Sequence, residues 1–275
     1  MYDLLKGKKG IIFGALNERS IAWKVAQRAH EEGASLVLTN TPVSLRLGQI
    51  QSLAQECSAK VVAADATNMD DLAALVDEST AYFGGQIDFV LHSIGMSPNI
   101  RKNIPYEDTN YAFFQKTLDI SAISFHKVMN VLYNRDAMAQ GGSIVALTYI
   151  AGERAFPGYG DMADAKAMLE SVARGFGLKF ARKCGVRVNT VSQSPTLTTA
   201  GEGVTGMSEM YRYADRFSPL GNASAVDCAD YIVTLFSDLT RKVTMQNLYH
   251  DGGFSATGLT EEVLDAFSRG SGDRG

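Results

Sequence analysis

A chain of 275 residues, 45% hydrophobic and 20% charged, suits one large α/β domain and argues against disorder, collagen and coiled coil. Its 26 basic and 30 acidic residues leave a net charge of −4, which gives no drive toward nucleic acid, and no apolar run is long enough to span a bilayer. Three scattered cysteines (Cys57, Cys184, Cys228) make no disulfide framework or metal-site spacing, and the N-terminus lacks a signal-peptide pattern, so a metal-free cytoplasmic protein is expected.

Along the chain, short apolar runs alternate with stretches of helical period. They read as strand 9–14, helix 20–32, strand 35–39, helix 43–57, strand 60–64, helix 69–83 and strand 87–92. Then follow helix 108–134, strand 142–148, helix 160–183, strand 186–192, helix 224–237 and strand 245–250. The strands are apolar nearly throughout, as expected when helices cover both faces. With right-handed crossovers this order gives one domain over 1–275: a Rossmann-type, doubly wound parallel sheet of about seven strands with helices on both faces.

Two regions interrupt the alternation. Residues 95–107 read as a long polar loop, and 193–221 carry Pro195, Gly201, Gly203, Gly206, Pro219 and Gly221 around the amphipathic piece MSEMYRYADRF. Both follow strand carboxyl ends, where open α/β sheets bind ligands, so 193–221 reads as a substrate-binding lid. The Gly/Asp/Arg-rich stretch 268–275 reads as a disordered tail.

The first strand ends in Gly14, and Ser20-Ile21-Ala22 opens the next helix. A pyrophosphate needs close backbone approach, free helix N-terminal amides and a small residue where helix meets strand. Gly14 supplies the approach, Ser20 a cap or a phosphate-facing hydroxyl, and Ala22 the small residue. A single glycine stands where the usual fingerprint has three, so this loop alone is as well explained by an ordinary strand–helix turn. Asp65, in Ala64-Asp65-Ala66, ends the third strand and could accept from an adenine amino group; Ser93-Ile94-Gly95 ends the fourth. Asp after a strand is also a common turn residue. The second strand ends in Asn40-Thr41-Pro42, without the usual ribose-gripping carboxylate, which leaves NAD and NADP both open. Arg46, the one cation nearby in sequence, reads first as a solvated helix-face charge.

Tyr159 and Lys166 stand at i and i+7, roughly two turns apart on one helix face. A phenol with a pKa of about 10 stays protonated at neutral pH and can donate to a developing oxyanion beside an ammonium. Spacing alone favours a packed tyrosine and a surface lysine. What lifts the pair is its company: Tyr149 ten residues earlier, Gly152-Glu153-Arg154-Ala155, His92-Ser93-Ile94-Gly95, Arg187-Val188-Asn189, Ser192 with Pro195, and Asp251-Gly252-Gly253-Phe254. These motifs, in this order over almost the whole chain, resemble the NADH-dependent enoyl-[acyl-carrier-protein] reductases of the short-chain dehydrogenase/reductase superfamily.

The resemblance implies reduction of trans-2-enoyl thioesters, acyl carrier protein as partner, NADH as the expected donor with NADPH as the alternative, and a homotetramer. It implies Tyr159 on the thioester carbonyl, Lys166 on the nicotinamide ribose and Tyr149 as a second phenol beside the substrate. Gly14, Ser20, Ile21, Asn40, Asp65, Ala66, Ser93, Ile94, Gly95, Pro195, Thr196, Leu197, Thr198, Thr199 and Ala200 would contact the dinucleotide. Met96, Ser97, Met162, Met207 and Met210 would join the tyrosines around the acyl chain, core filling being the equal alternative for Met207 and Met210.

The chain also departs from that pattern. Gln193-Ser194-Pro195-Thr196-Leu197 replaces the commoner Ala-Gly-Pro-Ile-Arg, and Thr205, Ser208 and Glu209 stand where many relatives carry basic residues. An acidic carrier would then have to use Arg212, Arg216 or Lys102. A ketoacyl reductase with Tyr-x3-Lys would need a tyrosine at Met162, or a serine at Ala146 if Tyr159 is kept, and the sequence has neither. A dinucleotide-binding sensor without catalysis is the rival from another class.

Overall fold

The computed structural model describes residues 2–196, 198 and 207–270. Seven strands, β1 (Lys9–Phe13), β2 (Ser35–Asn40), β3 (Lys60–Ala63), β4 (Ile87–His92), β5 (Met138–Thr148), β6 (Arg187–Gln193) and β7 (Asn247–His250), form one sheet. Every pair is parallel and the order is β3-β2-β1-β4-β5-β6-β7. The chain order reverses between β1 and β4, where Phe13 lies level with Thr39 on one side and His92 on the other. Ligand crevices of open α/β sheets lie at such a switch point.

The apolar runs are explained by what each face meets. Ile11, Val37, Val90 and Ile144 pack toward Leu75, Phe125 and Leu169. Their chain neighbours Ile12, Leu38, Leu91 and Val145 pack on the other face with Trp23 and Ile232. Successive strand residues point to opposite faces, so both must be apolar when both faces are covered.

The helices are α1 (Ile21–Glu31), α2 (Pro42–Leu47), α3 (Ile50–Glu56), α4 (Met69–Phe83), α5 (Pro98–Arg101), α6 (Tyr111–Leu118), α7 (Ser124–Asn134), α8 (Gly160–Cys184), α9 (Met207–Phe217), α10 (Ala225–Phe236) and α11 (Glu261–Gly270). Helix α4 has its expected limits, because Asn68 accepts from the amides of Asp70 and Asp71 and Gly84 closes it in the left-handed conformation. Helix α9 coincides with the amphipathic piece at 207–217.

Four expectations need correction. The helix expected at 43–57 is two, broken where the amide of Gln49 turns to the carbonyl of Leu16 and so braces the loop after β1. The helix expected at 108–134 is α6 and α7 joined by a π turn, Asp119–Ile123. The polar loop 95–107 contains α5, capped by the Ser97 hydroxyl on the amide of Ile100, and a 3-10 turn at Tyr106–Asp108. Residues 268–270, read as tail, end α11, which the sequence reading did not anticipate; 271–275 lie outside the described residues.

Among the described residues no helix is long and apolar enough to cross a membrane, and no His/Cys/Asp/Glu cluster could hold a metal ion.

Candidate active site

The strand carboxyl ends open into two clefts that share Ile94. The first, about 220 Å³, lies between the ends of β4, β5 and β6 and the start of α8. The second, about 230 Å³, lies over β1, β2 and β3.

Tyr159 occupies the N-cap position of α8, between two glycines of positive φ, Gly158 at 77° and Gly160 at 43°, which swing the chain from the β5 loop into the helix. Its ring lines the first cleft, and among the described residues its hydroxyl has no hydrogen-bond partner. Tyr149, just past β5, sets its ring 4.9 Å from that of Tyr159, and its hydroxyl reaches the Met210 sulfur at 3.4 Å. Burial pushes both phenols above their usual range, with each carrying a smaller second push: Tyr149 on Tyr159, and Asp251 on Tyr149.

Lys166, two turns along α8, is only 8% exposed and donates to the carbonyl of Leu147 at 2.9 Å. Burial lowers its pKa to about 8, and Glu170, one turn further, pulls the other way. The Glu170 carboxyl is itself pushed up by burial, although the Thr148 hydroxyl donates to it at 2.6 Å. Beneath lies His92. The Ser124 hydroxyl donates to Ile120, so His92 is assigned Nε2–H donating to Ser124 at 3.0 Å, leaving its buried Nδ1 unpaired. Burial, reinforced by Lys166, holds this imidazole neutral with a pKa near 3.

Met96, Met162 and Met210 line the first cleft; the side chain of Met207 lies outside the described residues. Ser97 reaches the same wall, but its hydroxyl is engaged: it donates to Asp161 at 2.6 Å and accepts from the amide of Ile100.

The second cleft is lined by the ends of β1 to β3 and the loops after them, with Ile94 and with Lys116, Asp119 and Ile120 from the α6 end. Gly14, at φ 96°, is pressed against the end of β4, so that a Cβ there would overlap the carbonyl oxygen of Ser93. Ser20 holds the N-cap position of α1, but its hydroxyl does not cap: it accepts from the amides of Leu16 and Asn17 and folds the loop, leaving the α1 N-terminus without a side-chain cap or a first-turn acid. Asn40 also folds its own neighbourhood, donating to Ala15 and accepting from Thr41. One oxygen of Asp65 accepts from the amide and hydroxyl of Thr67, an Asx-type turn, at the cleft edge beside Ala66. Arg46 is exposed on α2.

Ile21, Ser93, Gly95, Pro195, Thr196 and Thr198 line the first cleft, whereas Leu197, Thr199 and Ala200 lie outside the described residues. The divergent pair Gln193-Ser194 has a use the sequence did not reveal. Gln193 accepts from His250 at 2.8 Å and donates to the carbonyl of Ala223 at 3.0 Å, while the Ser194 hydroxyl accepts from the amide of Ala223. Both bind the segment that follows α9 to the end of β6. Arg212 and Arg216 are exposed on α9, Arg212 paired with Glu209, and Lys102 stands over the ring of Phe113.

Ile100, Arg101 and Leu147 line the first cleft and were not singled out from the sequence, and neither were Glu170, Thr148 and Asp161. Glu170 had a signal, its i+4 spacing from Lys166 on the buried face of α8; Thr148 and Asp161 meet their partners only through the fold.

A doubly wound sheet with a tyrosine and a buried lysine on one helix at the switch-point crevice defines an oxidoreductase of the short-chain dehydrogenase/reductase class. The sequence model described as Enoyl-(Acyl carrier protein) reductase matches residues 14–255, and the chain belongs to that family. It is 33% identical, over 96% of its length and 98% of the relative's, to the Rhizobium meliloti enoyl-[acyl-carrier-protein] reductase [NADH] 2. It is 64% identical to the FabI–NADH complex from Alistipes finegoldii, with TM-score 0.93, covering 94% of this chain and 92% of that one. The Bacillus cereus enoyl-acyl carrier protein reductase, solved with NADP+ and indole naphthyridinone, is 32% identical with TM-score 0.86, covering 93% and 99%.

Proposed function

We propose that this chain reduces the trans-2 double bond of an enoyl group carried as a thioester on acyl carrier protein, with NADH as donor, in the fatty-acid synthesis of the cytoplasm. The observation that carries the reading is the Tyr159 hydroxyl, without a hydrogen-bond partner among the described residues, in an apolar, methionine-lined cleft, with the Lys166 ammonium on the same helix face.

A dinucleotide fits the residues present. The pinch at Gly14 brings backbone rather than side chain to the crevice, and the α1 N-terminus keeps its free amides toward a phosphate. Gly14, Ser20, Ile21, Asn40, Asp65, Ala66, Ser93, Ile94 and Gly95, with Pro195, Thr196 and Thr198, would hold it. Asp65 has one carboxylate oxygen engaged in its turn, and the other is left for an adenine amino group. Lys166 gives one N–H to Leu147, which leaves two for the ribose hydroxyls. When bound, the nicotinamide supplies the hydride that adds to the substrate's β-carbon.

As that addition proceeds, negative charge collects on the thioester oxygen as an enolate. Tyr159 donates to that oxygen throughout; a phenol raised by burial stays protonated and keeps donating. Tyr149 packs against Tyr159 and fixes its ring from the side. Met96, Met162 and Met210 pack the acyl chain. Saturation is completed when the α-carbon takes a proton. The exposed Arg212 and Arg216 of α9 are offered as contacts for an acidic carrier, and 193–221 as the segment closing over the chain. A homotetramer fits a sheet whose edge strand β7 is partly exposed.

The test is loss of absorbance at 340 nm with NADH or NADPH, offered crotonyl-CoA and acetoacetyl-CoA separately. Oxidation of NADH by the enoyl thioester alone is expected. Turnover of the ketoacyl thioester alone overturns the reading, and dinucleotide binding without turnover, even of enoyl-acyl carrier protein, favours the sensor. Light scattering checks for four subunits.

A further inference from the structure

We propose that Asp161 is a positioning residue: its buried carboxylate ties the 95–101 wall of the acyl cleft to the first turn of the helix that begins at Tyr159. This rests on the reading of the first cleft as the acyl site.

Asp161 is 1% exposed, and its carboxylate accepts three hydrogen bonds from uncharged side chains. Ser97 donates to one oxygen at 2.6 Å; Asn99 and Thr117 donate to the other, each at 2.8 Å. Among the described residues no cation shares the knot. A carboxylate buried without a counter-ion is costly unless its lone pairs are filled, and it is helped here by lying in the first turn of α8, where the helix dipole favours negative charge. The donors are themselves held. Asn99 accepts from the amide of Asn110 and donates to its carbonyl, and Ser97 accepts from the amide of Ile100.

The knot therefore joins the start of α8 to donors 44 to 64 residues earlier, on the β4–α5 segment and on α6. The other end of the 95–101 segment is tied separately, since the Ser121 hydroxyl accepts from the amide of Met96 and donates to its carbonyl. Met96 at one tie, and Ile100 and Arg101 just past the other, line the cleft together with Tyr159. Ile100 also packs against Gly160, where an added Cβ would lie 3.7 Å from it. Asp161 touches neither the cleft nor the reacting atoms; it acts through the wall it holds.

The test uses the full-length protein, D161N, S97A and the reciprocal exchange N99D/D161N, which again sets one carboxylate against one amide. For D161N, KM for trans-2-dodecenoyl-CoA is expected to rise about tenfold and KM for crotonyl-CoA less than about threefold, because only the longer chain needs the whole wall. The affinity for NADH is unchanged, S97A moves in the same direction by less, and the exchange variant recovers most of the loss. Equal KM rises for both chain lengths, a fall in NADH affinity, or no recovery in the exchange variant overturns the proposal in favour of a general folding role. Should D161N fail to fold, S97A decides by the same criteria. Amide hydrogen exchange, read without substrate, is independent of turnover: exchange at 95–101 must quicken in D161N or S97A while that of α4 stays constant. Unchanged exchange at 95–101 overturns the positioning role even if the thioesters are reduced; quickened exchange in a protein that reduces neither thioester upholds it and overturns the proposed function alone.

Discussion

The two clefts sit side by side on one sheet and are made by opposite means. Over β1 to β3 the polar side chains are turned back on their own loops: Ser20 on Leu16 and Asn17, Asn40 on Ala15 and Thr41, Asp65 on Thr67. Lys116 and Asp119 also line that crevice, Asp119 paired with Lys127. Between β4 and α8 the side chains themselves face inward, and burial shifts their ionisation: Tyr149 and Tyr159 upward, Lys166 and His92 downward. A cleft whose loop side chains brace their own backbone tolerates most side-chain changes except where a new Cβ intrudes, whereas a cleft made of shifted side chains fails when one functional group goes.

The sharpest contrast is expected from Tyr159→Phe, which removes one hydroxyl that no described residue uses. Turnover should fall by about 10²–10³ through loss of the oxyanion donor. Thermal stability and NADH affinity should barely change, and steady-state kinetics with crotonyl-CoA beside calorimetry would check both. A Tyr159→Phe enzyme that kept its turnover would remove the distinction between the clefts.

In the other cleft, Gly14→Ala should do the reverse. A positive-φ alanine pressed on Ser93 should cost about 1–3 kcal/mol of stability and weaken NADH binding, whereas Ser93→Ala should not. Chemical denaturation and fluorescence titration of NADH would show it.

Next in size is a pH effect confined to the reactive cleft. The Lys166 pKa of about 8 means that its ammonium is present at pH 7 and lost above pH 8, so kcat/KM should fall by about fivefold from pH 8 to pH 9. The stability sign is opposite. Burying the ammonium costs the folded state below pH 8, and that cost fades as pH rises from 8 toward 10.5, where the unfolded lysine holds more protons. A flat kcat/KM up to pH 9.5 would deny Lys166 a charged role. The smallest effect should follow Ser20→Ala, about 0.5–1.5 kcal/mol of stability with little change in kcat, since this hydroxyl shapes a loop rather than capping α1.

The same contrast governs what could be read from the sequence. The strand runs, α4 between Asn68 and Gly84, and the Tyr159/Lys166 face of α8 depend on local pattern, and all three were legible. The break between α2 and α3 was not, because it answers to the carbonyl of Leu16, more than thirty residues earlier. Asp161 was not singled out, since nothing local announces Ser97, Asn99 and Thr117 as its partners. Ser20 looked like a cap because the N-cap position favours serine; its hydroxyl instead turns to two amides of the loop before it.

The π turn at Asp119–Ile123 makes part of this architecture a matter of chain length rather than of side-chain identity. Such a turn accommodates one residue beyond the α-helical path, and each residue of an α-helix advances the azimuth by about 100°. Removing a single codon from 119–123 would let α6 and α7 run on as one regular helix, with α6 rotated by that angle against α7. Phe125 and Val128 would stay seated on the sheet while Thr117 swung away from Asp161. A one-residue deletion there would re-phase one wall of the acyl cleft without altering any residue that lines it.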